Sequence, residues 1–395
     1  MKRSAPKIPL LTALISGSAI AYNVFLPSMP DIARDFGATN FAVQTTLIGF
    51  LIAYAGAHFF YGGIADRYGR RPVLLWGLGI YIVASLACAA SSSMTMLVAA
   101  RILQGIGAAG SMVMVRSMVR DLYDRKQSAR ALATISSVMV FAPASAPALG
   151  GYLHTHFGWQ ASFLFLALLG TILFGYCALK MAETHPAQGG NLFNSLKAMA
   201  LGYRVLLGER VFVAYSLNIG FVSGAIFAWF AGVPIVLIDS YGVAPDQFGY
   251  LMITGTTGAF FGYAGTIWLT ARLGVNRMIV IGTAVGLLGA SIYLILPLLG
   301  VFTPLAAIAP MFIFGLGLAM TFPNAMAAAV SVRPQYAGTG AALNGLSQYG
   351  IAALTTVTVG LLPSVTHLPL AWVIFIMQAA AAIASWVGWR ARPAE

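Results

Sequence analysis

Twelve stretches of the chain are almost continuously apolar, and the segments between them are mostly short. The apolar stretches start near Ile8, Phe41, Pro72, Met94, Ala131 and Trp159, then, past a polar interval, near Val211, Phe248, Met278, Pro304, Ala341 and Leu370. Each runs for about 20 residues, the length of helix that crosses a ~30 Å hydrocarbon layer. The pattern lacks the ~10-residue alternation of membrane β-barrel strands. It predicts an all-α membrane protein with twelve transmembrane helices in two pseudo-symmetric six-helix bundles. The polar interval from Lys180 to Arg210 sets the organisation: an N-terminal bundle over 1–180, a cytoplasmic linker over 181–210 and a C-terminal bundle over 211–395. Met1-Lys2-Arg3 leads into a first stretch too long for a signal-peptide core, so a retained helix is expected.

An internal repeat supports the division. Arg67-x-Gly69 recurs as Arg272-x-Gly274, an offset of 205 residues that also carries Gly77 onto Gly282 and brings Arg71 within one residue of Arg277. The repeat is degenerate, since Ala271 stands where Asp66 would recur. Parallel repeats of this kind are a mark of rocker-type transporters, with a substrate site at the repeat interface near the bilayer midplane.

Composition narrows the class. Only 8% of the 395 residues are charged and 59% are hydrophobic. A soluble domain carries about 25% charged residues, so a cytosolic or secreted globule is excluded. The formal charge of +12 would suggest nucleic acid in a soluble protein. Here 19 of the 22 basic residues fall on one side of a twelve-span topology, with only Arg34 in an outer loop and Arg101 and Arg116 inside the fourth span. The positive-inside rule then places both termini in the cytoplasm, and no nucleic-acid partner is needed. Cys88 and Cys177 sit in apolar runs and read as buried hydrophobes. His154-Thr-His156 has no third ligand or acid nearby in sequence, so no metal site is expected. With no catalytic constellation in view, an enzyme is not expected either.

Three motifs carry the chemistry. Gly62-Gly-Ile-Ala-Asp66-Arg67-Tyr-Gly69-Arg70-Arg71-Pro72 follows the second span. Its glycines permit a tight reversal, and Asp66 could enter a charge network or cap the third span. In the fourth span, Arg101-Ile-Leu-Gln104-Gly105-Ile-Gly107-Ala-Ala-Gly110 matches a dinucleotide fingerprint only formally, because it lies inside a membrane helix. An intramembrane arginine is costly and usually faces the bundle interior, snorkelling being the bland alternative for Arg101. Arg116 lies about 22 Å further along and within about 60° of the same face, so it faces the same cavity or snorkels. In the fifth span, Pro143, Pro147 and Gly151 recur every four residues beside Gly150, making a kinked, flat stripe.

The first motif resembles the loop signature of the major facilitator superfamily, which implies a conformational latch built from Gly62, Asp66, Arg67, Gly69, Arg70 and Arg71. Arg101-x-x-Gln104-Gly-x-Gly resembles a superfamily pattern linked to proton movement. Pro143, Pro147, Gly150 and Gly151 resemble the antiporter motif of drug exporters, with Ala146 in place of its first glycine. Phe25-Leu-Pro27-Ser-Met-Pro30, Val119-Arg120-Asp121-Leu-Tyr123 and Asn344-Gly-Leu-Ser-Gln348 are similar to the bicyclomycin/chloramphenicol-resistance branch. That resemblance implies a bacterial inner-membrane drug:proton antiporter working by alternating access, monomeric, without a cofactor and driven by the proton gradient.

One departure matters. Branch members commonly carry an acid just before the Leu-Pro stretch, and this chain has Asn23. None of its ten acids falls at mid-membrane in the twelve-span reading. Arg101, Asp31 and His58, whose ordinary pKa is near 6.5, are the candidates for proton coupling. Polar and aromatic residues inside apolar helices are the candidates for the substrate cavity: Tyr22, Asn23, Tyr54, Arg116, Asn218, Trp229, Phe230, Asn324, Asn344 and Gln348. Such a pocket suits small, neutral, lipophilic or amphipathic drugs of phenicol or bicyclomycin type better than dications. The alternative is a proton-uncoupled facilitator or a nutrient carrier of the same superfamily.

Overall fold

The computed structural model describes residues 5–123, 127, 131, 134–135, 141–185, 192–362 and 366–391. Among them, no strand forms. The helices are α1 (Ile8–Asn23), α2 (Met29–Asp35), α3 (Asn40–Tyr68), α4 (Arg70–Ala89), α5 (Met94–Leu122), α6 (Phe141–Phe157) and α7 (Gln160–Lys180), then α8 (Leu192–Leu207), α9 (Arg210–Pro234), α10 (Pro245–Leu273), α11 (Val275–Leu298), α12 (Ala309–Ser331), α13 (Ala337–Leu361) and α14 (Leu368–Arg390). A single tight turn, Leu26–Ser28, joins α1 to α2 and makes them one span. Counting those two as one and leaving α8 aside, the long helices among the described residues number twelve, six on either side of α8. Nine of them, among the described residues, are long and apolar enough by composition to cross a membrane. The others, α6, α10 and α13, are the ones richest in Gly, Pro, Thr and polar side chains.

Local chemistry explains the boundaries. Thr39 and Ser93 accept hydrogen bonds from the backbone N–H of Ala42 and Met96, both at 3.2 Å, capping α3 and α5. Pro245, Pro310 and Pro369 sit in the first turns of α10, α12 and α14, where a missing N–H costs nothing. The tenth span, expected from Pro304, begins only at Ala309, because residues 304–308 form turns held by Thr303 and Leu305 carbonyls. The predicted start of the fifth span near Ala131 lies mostly outside the described residues, as do Lys2, Arg3, Asp124, Arg125, Lys126, Arg130, Arg392 and Glu395. Inside the spans, threonines return their hydroxyls to carbonyls four residues back, as Thr283 does to Ile279 at 2.7 Å, so few polar groups face hydrocarbon.

The chain divides into two compact units, Met1–Ala198 and Met199–Glu395, and the division falls within α8. In the first unit α5 packs centrally against α3 and α4; in the second α12 packs against α10 and α11. The repeat lies in the backbone as well as the sequence. Gly69 links α3 to α4 at φ +92°, ψ 160°, and Gly274 links α10 to α11 at φ +81°, ψ 157°, a region open essentially to glycine. Gly105 and Gly107 of α5 meet the backbone of α3 at Phe50 and of α4 at Tyr81, each place lacking room for a Cβ. Gly315 and Gly317 of α12 do the same against α10 at Ala259 and α11 at Gly286. These glycines bring helix backbones together, as small residues do in membranes.

Candidate functional site

The first unit holds a buried cation. Arg101 on α5 is fully buried, which removes the snorkelling reading. Its Nη1 donates to the Ala21 carbonyl at 3.0 Å and to Gln104 Oε1 at 2.5 Å. The chain continues through Gln104 Nε2 to Ser85 Oγ at 2.7 Å and from there to the Tyr81 carbonyl, also at 2.7 Å. The guanidinium lies 4.3 Å from the Phe25 ring and 4.5 Å from the Phe50 ring, with Phe163 at 5.9 Å. Such desolvated cation–π contacts are worth about 2 kcal/mol or more each. No carboxylate among the described residues pairs with Arg101, and its Nε and Nη2 have no hydrogen-bond partner there. The charge is therefore held by aromatic faces and neutral dipoles.

From that cation an aromatic ladder runs along α3. Phe50, Tyr54 and His58 are four residues apart and share one face. Phe50 stacks on Tyr54 at 5.7 Å, Tyr54 meets His58 at 4.6 Å, and Tyr22 from α1 packs on Phe50 at 6.0 Å. His58 donates from Nδ1 to the Tyr54 carbonyl at 2.8 Å, and half-buried Arg116 lies within electrostatic range of its ring. The ladder thus links the Arg101 end of α5 to the Arg116 end. Asn23, next in sequence to Tyr22, is buried, with Nδ2 on the Ala19 carbonyl at 2.9 Å and Oδ1 without a partner among the described residues.

Asp31 is elsewhere. It pairs with Arg34 and accepts from Nε2 of His154 at 2.5 Å, while Asp35 accepts from Trp159 Nε1 at 2.8 Å. Two acids of α2 thereby fasten to the end of α6 and the start of α7. The expectation that no acid lies near His154 is corrected: Asp31 is 123 residues away in sequence and adjacent in space. Among the described residues no cluster could hold a metal ion. Pro147 lies inside α6, and Gly150 lets α6 close on the Val24 carbonyl of the first span, with no room for a Cβ; Gly151 is buried. The side chain of Pro143 lies outside the described residues.

At the opposite end, Arg70 is buried and pairs with Asp66 at 2.7 Å and with Asp121 at 3.1 Å, so Asp66 enters a network. It does not cap the third span. That role falls to Glu183, whose carboxylate accepts from the backbone N–H of Arg70 at 3.0 Å and of Arg71 at 3.1 Å. Arg71 reaches the Ala178 carbonyl at 2.6 Å, Arg67 lies over Tyr68, and Gly62 faces open space. Glu183 was missed because its partner is 113 residues away; its only sequence signal is that of a lone acid after the sixth span.

Most of the expected polar and aromatic residues of the second unit make contacts within that unit. Asn218 Nδ2 donates to the Ala381 carbonyl at 2.8 Å and to Thr283 at 3.3 Å, tying α9 to α14 and α11. Trp229 is fully buried with its indole N–H on the Ala307 carbonyl, and it packs on Phe230 at 5.5 Å. Asn324 is held by Thr270 and the Met320 carbonyl. Asn344 accepts from Ser216 at 2.5 Å, and half-buried Gln348 follows one turn later on α13. Beyond the spans, Tyr241 shares a 2.5 Å hydrogen bond with His367, and burial pushes the His367 imidazole down to about 4.

The sequence pattern of the Major Facilitator Superfamily matches residues 11–356. Multidrug resistance protein D of Escherichia coli (strain K12) is 31% identical over 361 residues, covering 90% of this chain and 89% of its own. A bicyclomycin resistance protein homolog of Haemophilus influenzae is 30% identical over 334 residues, 84% of this chain and 83% of its own. Among solved structures, a bacterial homolog of the human lysosomal transporter Spinster, inward-facing and unoccupied, superposes with a TM-score of 0.73 over 98% of both chains at 17% identity, a likeness of fold. The two six-helix units, the Arg70 ion-pair network and this family match over most of the length agree: the chain is a multi-pass membrane protein that belongs to the Major Facilitator Superfamily.

Proposed function

We propose that the chain is a multidrug efflux transporter of the bacterial inner membrane, its termini cytoplasmic, exporting small neutral amphipathic molecules by alternating access in exchange for protons. The observation that carries this reading is the Arg101 ladder. A fixed buried cation at one end of a column of aromatic rings disfavours cationic substrates and offers stacking faces to neutral lipophilic ones. Length-wide similarity to proteins named for multidrug and bicyclomycin resistance supports export. Asp31, half-buried against His154, is assigned the exchanging proton, because Asn23 cannot titrate. A second reading, a proton-uncoupled facilitator, is favoured by Asn23 itself.

The test is drug accumulation in an efflux-deficient host, with phenicols, bicyclomycin and lipophilic cations compared before and after collapse of the proton gradient. Lower accumulation of the neutral drugs, restored by collapse and by Asp31→Asn, is expected. Efflux that ignores the gradient selects the facilitator, and export of cations alone defeats the neutral-substrate assignment. Asp66→Asn should abolish export with membrane insertion intact; full resistance in that variant would remove the latch role.

A further inference from the structure

Arg210 opens α9 and is exposed, without an ion-pair or hydrogen-bond partner among the described residues. Its sequence neighbour Glu209 does not neutralise it, because that carboxylate is held by Arg333 through Nε at 2.8 Å and Nη2 at 2.6 Å. From Arg210 a groove of about 500 Å³ runs between α9 and α14, lined by Val213, Leu217 and Phe221 on one side and Ile383 and Val387 on the other. Leu217, Ile383 and Val387 are exposed, so the groove opens outward from the second unit. Arg390, stacked on Trp386 at 4.2 Å, stands at the same end of α14. The start of α9 has no side-chain cap, so its positive dipole end and first N–H groups lie at the groove mouth.

The dimensions fit one leaflet. Eleven residues separate Arg210 from Phe221, a rise of about 16 Å, close to half of a ~30 Å hydrocarbon layer. We propose that this groove is a binding site for an anionic phospholipid, with its phosphate on Arg210 and one acyl chain laid between α9 and α14. Any lipid can wet an apolar surface; the unneutralised cation at headgroup depth is what selects a net negative one, a nearby basic residue being worth about 1 kcal/mol toward anionic lipid. The groove sits wholly within the second unit, so the site is independent of the transport reading.

The test uses the full-length protein in detergent–lipid micelles containing equal phosphatidylglycerol and phosphatidylcholine, with retained lipid counted by native mass spectrometry. Wild type should retain phosphatidylglycerol about fivefold over phosphatidylcholine, the ratio that 1 kcal/mol gives. Arg210→Gln should bring the ratio near one while still retaining lipid. Ala380→Phe, which fills the groove at its deep end, should reduce retention of both lipids. Equal retention by wild type, or an unchanged preference in Arg210→Gln, overturns the proposal. So does undiminished retention by Ala380→Phe. Size-exclusion profiles identify any variant that fails to fold, and Arg210→Lys then replaces Arg210→Gln: it should keep the preference, and its loss would count against a simple phosphate contact.

Discussion

Two seven-residue segments occupy matching places in the two units. Arg101-Ile-Leu-Gln-Gly-Ile-Gly lies in α5, and Met311-Phe-Ile-Phe-Gly-Leu-Gly lies in α12. Their glycine pairs make the same backbone contacts with the flanking helices, yet Arg101 and Gln104 become Met311 and Phe314, buried and apolar. The turns between second and third helices repeat the contrast. Gly69 and Gly274 share one conformation, but among the described residues only at Gly69 does a carboxylate, that of Glu183, meet the next helix, and only there does a buried arginine bridge two acids. The comparison teaches that close packing is what the repeat retains. Backbone approach tolerates no Cβ, whereas the side chains three to six residues upstream are free to diverge between a charged site and a plain core.

The sharpest way to break the comparison is to move the charge. Met311→Arg would bury a cation that has neither the Gln104 acceptor nor the facing Phe25 and Phe50 rings. About 3–5 kcal/mol of destabilisation is expected, as for a buried charge without its partner, with loss of folded protein in size-exclusion chromatography. Normal yield would mean that the second unit also accommodates a cation and that the two segments differ little. The reverse exchange, Arg101→Met, is milder for folding: it removes the donor to the Ala21 carbonyl and Gln104 Oε1, at about 1–3 kcal/mol for a buried group left unpaired, and relieves a buried charge. Export should nevertheless fall about tenfold or more, as expected for a functional intramembrane ion. Retained export would make Arg101 a structural residue.

The turns offer a finer comparison. Gly69→Ala and Gly274→Ala each force alanine into a glycine region at about 1–3 kcal/mol. Gly69→Ala should cost more, because its Cβ would lie 2.7 Å from Glu183 Oε2, while a Cβ at Gly274 meets nothing within 4 Å. Equal losses in thermal midpoint would show that the Glu183 cap contributes little. The smallest effect concerns the loop ends. In the first unit His154 hydrogen-bonds Asp31, whereas His367 in the second is held neutral by burial against Tyr241, Tyr293 and Phe302. A histidine lowered to about 4 from 6.5 contributes stability that is present above pH 6.5 and is lost as pH falls toward 4. The thermal midpoint should therefore drop over that interval, and His367→Phe should flatten the drop.

The twelve-span architecture was legible because hydropathy in lipid is read one helix at a time. A span must satisfy its backbone internally, so its length and composition announce it before any neighbour is known. Arg101, Gln104 and the Gly69 turn were legible for the same reason, as costly or conformationally demanding residues at fixed spacings. The partners of the polar residues in the second unit were not. Nothing in the sequence separates Asn218, spent on the Ala381 carbonyl, from a residue facing substrate, because both are buried amides in apolar helices.

The sequence by itself determined the run of apolar helices and the places where helices approach too closely for a side chain. Those properties are local sums of hydrophobicity, charge and volume. Tertiary structure alone decided the partners: Glu183 on the α4 N-terminus, His154 on Asp31, Trp159 on Asp35, and a cage of Phe25, Phe50 and Phe163 in place of an acid around Arg101. These contacts join residues that lie from about 50 to more than 120 positions apart. The folded helices supply the proximity that gives a charge, a ring or a carboxylate its meaning, and no spacing rule reaches that far.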